Sequence, residues 1–236
     1  MANTFFNFKQ FTVYQEKCAM KVGIDGVLLG AWTSINNANK ILDIGAGTSL
    51  ISLMLAQRTL AEITAIDIEQ NAVIQSIENI LKSPWSDRIF VQKISIQDFS
   101  KLSSQKFDLI VSNPPFFINS LKTPVNDRTI ARHTVLLTHE DLIENSIKIL
   151  NPNGRICIIL PFNEGINCVN LAKQKNLYCS KMVFVYPKPD VPVKRLLLEF
   201  SLGQSECIES ELYIETSIRH QYSTEFRKLV DGYYLK

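Results

Sequence analysis

The segment Lys40-Ile41-Leu42-Asp43-Ile44-Gly45-Ala46-Gly47 constrains the fold of this chain more than any other. A compact apolar run stops at a glycine, a second glycine follows two positions later, and Leu50–Gln57 resumes with helical spacing. Strand, glycine turn and helix in that order open a parallel α/β sheet whose strands are joined by helical crossovers. Glycines at such a turn let a ligand approach bare backbone, so the same segment nominates a nucleotide-like cofactor.

The alternation continues down the chain. Glu62–Asp67 predicts a second strand and Glu69–Leu81 the helix after it, with Glu69 at the end the helix dipole favours for an acid. Arg88–Ile94 predicts a third strand, and Phe107–Ser112 a fourth, cut off by Asn113-Pro114-Pro115. Glu140–Leu150 predicts a helix stopped at Asn151-Pro152-Asn153-Gly154. Arg155–Leu160 is the most apolar strand, suited to the middle of a buried parallel sheet. Cys179–Tyr186 and Lys194–Leu202 are separated by a link too short for a crossover helix, which predicts an antiparallel hairpin at the sheet edge. Residues 38–236 thus form the main domain. Residues 1–37 are an extension packed on it, a short hairpin and then a helix through Val27–Trp32.

Composition narrows the function classes. Hydrophobic residues are 46% and charged residues 20%, enough for a real core, while no run approaches the roughly 18 apolar residues of a membrane span. Met1–Gln10 carries no apolar segment of a secretory signal. The five cysteines are scattered, with no Cys-x-x-Cys pair and no zinc-ligand spacing to a histidine, so reduced thiols, a cytoplasmic setting and no metal are expected. A net charge of +2 allows a nucleic-acid partner only through local basic groups.

Asp43 decides which cofactor the glycine turn takes. A dinucleotide brings an anionic pyrophosphate to this turn, where a carboxylate is unfavourable, and its fingerprint would need a glycine at Leu50. S-adenosylmethionine brings a cationic sulfonium and an ammonium group, which a carboxylate attracts. Asp43, Gly45 and Gly47 therefore suit S-adenosylmethionine, and S-adenosylhomocysteine is the product expected. Asp67 closes the second strand 20 residues after Gly47, where an acid can hold both ribose hydroxyls. Asp98 can accept from the adenine amino group of the cofactor. Ser49 stands where many such loops carry another glycine, a change that serine tolerates if it caps the helix. With this cofactor, the architecture expected is the Rossmann-like fold of class I S-adenosylmethionine-dependent methyltransferases. That fold is a seven-stranded, mainly parallel sheet with a terminal antiparallel strand and helices on both faces.

Asn113-Pro114-Pro115-Phe116 leaves the fourth strand beside that crevice. A conjugated NH2 group is a poor nucleophile because its lone pair is delocalised. The Asn113 side-chain carbonyl and the Pro114 backbone carbonyl can accept its two hydrogens and aim the lone pair at a sulfonium methyl, which is catalysis by positioning and electrostatics. Pro115 stiffens the loop, and Phe116, with Phe117 as a second wall, can stack on an extruded base. Arg128, Arg132 and His133 lie close downstream, where they can meet phosphates. Lys188, Lys194 and Arg195 form another basic cluster.

The chain resembles the bacterial tRNA1(Val) (adenine-N6)-methyltransferases. The resemblance is carried by Phe8-Lys9-Gln10-Phe11, by the block Lys17–Trp32, and by Leu42–Gly47, Leu53–Arg58, Ser83-Pro84-Trp85 and Phe107–Pro115. It covers most of residues 8–160 and thins out beyond them. It implies S-adenosylmethionine as donor, an adenine beside the anticodon of a tRNA as acceptor, and Lys21 and Asp25 at the methionine end of the cofactor. A monomer is expected, with no membrane partner. The Asn-Pro-Pro-Phe tetrapeptide is also shared with guanine-N2 and protein glutamine-N5 methyltransferases, so those acceptors remain open, as does a domain that binds S-adenosylmethionine and RNA without turnover. The tyrosine that the family often carries after the prolines is replaced here by Phe116 and Phe117.

Overall fold

The computed structural model describes residues 3–114, 137–218 and 220–235. Ten strands and seven helices follow one another among these residues. The chain opens with a hairpin, β1 (Phe5–Asn7) against β2 (Thr12–Tyr14), and helix α1 (Ile24–Trp32). The alternating part runs β3 (Lys40–Ile44), α2 (Leu50–Ala56), β4 (Glu62–Asp67), α3 (Gln70–Leu81), β5 (Ile89–Lys93), α4 (Ile96–Leu102), β6 (Phe107–Ser112), α5 (His139–Ile149), β7 (Leu150–Pro161) and α6 (Phe162–Gln174). It finishes with β8 (Tyr178–Tyr186), β9 (Arg195–Ser201), β10 (Ile208–Tyr213) and α7 (Thr224–Val230).

Eight strands form one sheet in the order β10-β8-β9-β7-β6-β3-β4-β5. Only β9 runs against the others, pairing antiparallel with both β7 and β8. The seven strands expected from the sequence are present, with the antiparallel strand inserted between β7 and β8. The eighth, β10, pairs parallel to β8, so the β8–β9 hairpin is not the sheet edge that its sequence suggests. Proline and asparagine at 151–153 do not interrupt β7 either. The strand absorbs them where its register against β6 shifts between Phe107 and Leu109.

Both faces of the sheet are covered, so the central strands read as continuous apolar runs. Ile41, Leu109, Cys157, Ile159 and Leu197 point to one face, with α1, α2 and α7. Leu42, Ile44, Ile156, Ile158, Leu198 and Phe200 point to the other, with α4, α5 and α6. The N-terminal hairpin belongs to the first core rather than to a separate unit. Phe8 stacks on Phe11 with centroids 4.6 Å apart, and Phe11 meets Trp85 edge-on at 5.7 Å. Lys9 N–H donates to the Tyr233 carbonyl at 2.8 Å, joining the two ends of the chain. No helix among the described residues is long and apolar enough to cross a membrane.

Candidate cofactor and acceptor site

A cavity of about 400 Å³ opens where β3, β4 and β6 end at their carboxyl edges, the place where parallel α/β sheets bind ligands. Its floor is Ile44, Gly45 and Gly47. Both glycines have positive φ, +71° and +56°, and a Cβ built on either would have no atom within 4 Å. The backbone of the loop is therefore bare toward the cavity, as a ligand in close approach requires. The Gly45 and Ala46 N–H groups both donate to the Ile66 carbonyl, at 2.9 and 3.1 Å, which folds the loop onto the end of β4.

Asp67 stands beside this loop and lines the cavity. Its Oδ2 accepts the Gly47 N–H at 2.9 Å and its Oδ1 accepts the Glu69 N–H at 2.9 Å. Two backbone bonds fix the carboxylate plane and leave further lone pairs on each oxygen for a ligand. Asp43 lies behind the loop, wholly buried. Its Oδ2 accepts from Ser52 N–H and Oγ–H at 3.1 and 2.7 Å, while Oδ1 is buried without a partner. Burial pushes its carboxyl up to about 6, against the lowering effect of the Ser52 bonds.

Asn113 lines the same cavity from the end of β6. The Ser112 hydroxyl donates to the Ile44 carbonyl at 2.8 Å and so locks the ends of β3 and β6 side by side. The Asn113 side-chain Oδ1 is buried and has no hydrogen-bond partner among the described residues. Such an acceptor is costly to leave unpaired. Pro114 follows it and is buried. Pro115, Phe116, Phe117, Arg128, Arg132 and His133 lie outside the described residues.

Besides Asp43, three of the sequence expectations sit elsewhere than the cavity wall. Asp98 lies in the first turn of α4, where its N–H donates to the Ser95 hydroxyl at 3.1 Å and its Oδ2 accepts that hydroxyl's hydrogen at 2.9 Å. This reciprocal cap leaves the carboxylate 63% exposed, 3.7 Å from Lys101, and the neighbouring Gln97 lines the cavity instead. The Lys21 ammonium donates to the carbonyls of Gln15 and Cys18. Asp25 pairs with Arg195 at 2.9 Å, joining the start of α1 to the start of β9. Ser49 stands at the N-cap of α2, but its side chain makes no capping hydrogen bond. It adopts a left-handed φ of +62°, the conformation of the glycine it replaces, and its hydroxyl bonds Ser76.

The sequence reading missed an entire wall. Lys17, Cys18, Ala19 and Met20, ahead of α1, line the cavity together with Ile68, Ala72, Ile94 and Ile96. Burial, with the Asp67 carboxylate adding to it, pushes the Cys18 thiol up to about 11, so it is neutral at physiological pH. The signal was available, because these four residues begin the block that ends at Trp32, and Ile68 and Ile94 directly follow the strands β4 and β5. Among the described residues, no group of three or more His, Cys, Asp or Glu side chains could hold a metal.

Comparison with known proteins supplies the family. Residues 25–174 match the model of the methyltransferase small domain, well over half of the chain. The chain belongs to the methyltransferase small-domain family. The match in this small-domain methyltransferase begins at the ion pair of α1 and ends with α6. It contains the glycine loop, Asp67 and Asn113 and leaves the Lys17–Met20 wall outside. Full-length relatives include that wall. A protein of Parabacteroides distasonis named tRNA1(Val) (adenine(37)-N6)-methyltransferase is 48% identical, with 100% of each chain covered. Proteins of the same name from Bacteroides fragilis and Trichodesmium erythraeum are 45% and 44% identical, again with 100% of each chain covered.

Solved structures agree on the fold. A crystal structure described as a predicted O-methyltransferase, from Agrobacterium tumefaciens, has a TM-score of 0.69 at 19% identity, covering 89% of this chain and 96% of that one. A ribosomal protein L11 methylase from Lactobacillus delbrueckii scores 0.54 at 16% identity, covering 76% and 77%. The small-domain methyltransferase thus carries the class I fold with an additional edge strand.

Proposed function

We propose that this protein transfers the methyl group of S-adenosylmethionine to the exocyclic N6 of an adenine in tRNA, the adenine beside the anticodon of a valine tRNA. The observation that carries the reading is that Asn113, whose buried Oδ1 has no partner among the described residues, lines the same cavity as Asp67 and the bare glycine loop. The names of relatives that match over their full length support the choice of acceptor.

When bound, S-adenosylmethionine supplies a methyl group on a cationic sulfur, open to in-line attack by a nitrogen lone pair. The residues of this chain fit that group. Asp67 offers free lone pairs to the ribose hydroxyls, Gly45 and Gly47 admit the ligand to bare backbone, and Asp43 places a carboxylate behind the cationic end. Asn113 Oδ1 and the Pro114 carbonyl accept the two hydrogens of the adenine amino group, which localises its lone pair and orients it. The N–C bond forms as the C–S bond breaks, the sulfur leaving as the neutral thioether of S-adenosylhomocysteine. The methylated nitrogen then loses one proton to solvent, so no strong base is needed. Phe116 stacks on the extruded base, an expectation that rests on its sequence position alone. The protein works as a cytoplasmic monomer.

The test is nucleoside mass spectrometry on tRNA from a strain lacking this gene, before and after incubation with the protein and S-adenosylmethionine. N6-methyladenosine appearing only after incubation, in the anticodon-arm fragment of the valine tRNA, is the expected result. N2-methylguanosine, or label found only in protein, would replace this acceptor with another.

A further inference from the structure

One stripe of α3 is polar where a helix beside a sheet is ordinarily apolar. Ala72, Gln75, Ser76 and Asn79 follow at helical spacing and share one face. Ala72 lines the cavity, and Gln75, Ser76 and Asn79 beyond it are only 2%, 1% and 1% exposed. Buried amides and hydroxyls must find partners. Asn79 Oδ1 accepts the Tyr14 N–H at 2.9 Å, and its Nδ2 donates to the Tyr14 and Thr48 carbonyls at 2.8 and 2.9 Å. Gln75 Oε1 accepts the Lys17 N–H at 3.1 Å. Ser76 bonds the Ser49 hydroxyl.

Each of these partners belongs to one of two segments that lead directly into cavity walls. Thr48 and Ser49 continue the loop of Gly45 and Gly47, and Tyr14–Lys17 runs into the Lys17–Met20 wall. Ser49 is also the strained point of the loop. Its left-handed backbone is ordinarily reserved for glycine, and such a conformation persists only where its surroundings hold it. Gly47 N–H is held by Asp67 and Thr48 C=O by Asn79, so the loop is fixed on both sides of its turn.

We propose that Asn79 and Ser76 are positioning residues for cofactor binding. Together they set the glycine loop and the Lys17–Met20 wall in one register, and Ser76 holds the conformation that a glycine at position 49 would adopt unaided. The inference rests on the reading that this cavity takes S-adenosylmethionine. Neither side chain lines the cavity, so both act through the segments they hold.

The experiment compares Ser76→Ala, Asn79→Ala, Ser49→Gly and the double variant Ser49→Gly/Ser76→Ala, each first shown to melt cooperatively above the assay temperature. S-adenosylmethionine affinity is measured by calorimetry, with kcat and KM from tRNA methylation. Ser76→Ala should raise both the Kd and the KM for S-adenosylmethionine by about tenfold, with kcat at saturating cofactor falling less than about threefold, the pattern of a lost binding geometry. In the Ser49→Gly background the same Ser76→Ala change should cost less than about threefold, because the loop no longer depends on that bond. Asn79→Ala should bring a larger loss than Ser76→Ala, and if it does not fold, the Ser76 pair decides alone. Ser76→Ala with wild-type affinity, or with the same penalty in both backgrounds, would overturn the inference. Wild-type protein that bound no S-adenosylmethionine would overturn the functional reading instead, and the inference with it.

Discussion

Asp67 and Asn113 flank one glycine loop from the ends of the strands on either side of β3, yet their side chains are provisioned in opposite ways. Each oxygen of Asp67 already accepts a backbone N–H, and the acid is held before any ligand arrives. Asn113 Oδ1 has no partner among the described residues, although it is buried. On the proposed function, the Asp67 side of the cavity would serve ground-state binding, with its geometry set in advance. On the same reading, the Asn113 side holds an unsatisfied oxygen that would become useful only when a donor is presented. An interaction made chiefly in the transition state accelerates the chemistry, whereas one made equally before it only tightens binding.

The largest effect predicted from that contrast belongs to Asn113. Asn113→Ala leaves the amino group held by the Pro114 carbonyl alone, so turnover should fall by about 10² to 10³, by analogy with removing one oxyanion donor. Affinity for S-adenosylmethionine should change by less than about 1 kcal/mol, the worth of an ordinary hydrogen bond. Steady-state kinetics with calorimetry separates the two, and a large affinity loss would erase the contrast.

Asp67→Ala should do the reverse, weakening S-adenosylmethionine binding by roughly 1.5–3 kcal/mol, the range for hydrogen bonds to charged groups. Calorimetry showing unchanged affinity would remove Asp67 from the site.

Asp43 gives the cofactor side a pH dependence. Its folded carboxyl titrates at about 6 against 3.8 for the free group, so the native state holds its proton more tightly than the unfolded chain. This group's contribution to stability is therefore fully present below pH 4 and lost as pH rises through about 6, a change on the order of 2–3 kcal/mol. Cofactor affinity should move the other way, rising as the carboxylate forms around pH 6 to meet the cationic ligand. Asp43→Asn should flatten both profiles. Denaturant melts and calorimetry between pH 4 and pH 8 would show it, and an unchanged slope in the variant would assign the titration elsewhere.

The smallest effect sharpens the boundary of the site. Asp98 is spent on the Ser95 cap, so Asp98→Ala should alter S-adenosylmethionine affinity by less than about 0.5 kcal/mol, as for surface substitutions generally. A loss as large as that of Asp67→Ala would bring Asp98 back to the adenine end.

These contrasts also show which parts of the molecule were legible. The strands β3, β4, β6 and β7 are apolar on both faces and end at glycine, acid or proline, so both their existence and their order follow from residue type. β10 is exposed at every position except Leu212 and Tyr213, so it has neither alternation nor an apolar run to announce it. Helix α4 buries only Ile96 and Phe99, too few for a period. Asp67 and Asn113 sit at strand ends, where side-chain direction follows from the fold, and both line the cavity. Asp98 bonds the Ser95 hydroxyl instead, since whether an acid after a strand faces a cavity or caps a helix depends on one neighbouring hydroxyl. Ser49 does open α2 as the sequence allows, but its side-chain capping habit yields to a loop that requires a positive φ.

The most direct measurement is single-turnover methylation of the valine tRNA by wild type, Asp67→Ala and Asn113→Ala across a range of S-adenosylmethionine concentrations. The account predicts that saturating cofactor restores Asp67→Ala to within about tenfold of the wild-type rate, while Asn113→Ala stays about 10² to 10³ slower at every concentration. An Asn113→Ala protein that methylates at a near-normal rate once cofactor is saturating would contradict it, and the acceptor that activates the amino group would have to lie elsewhere.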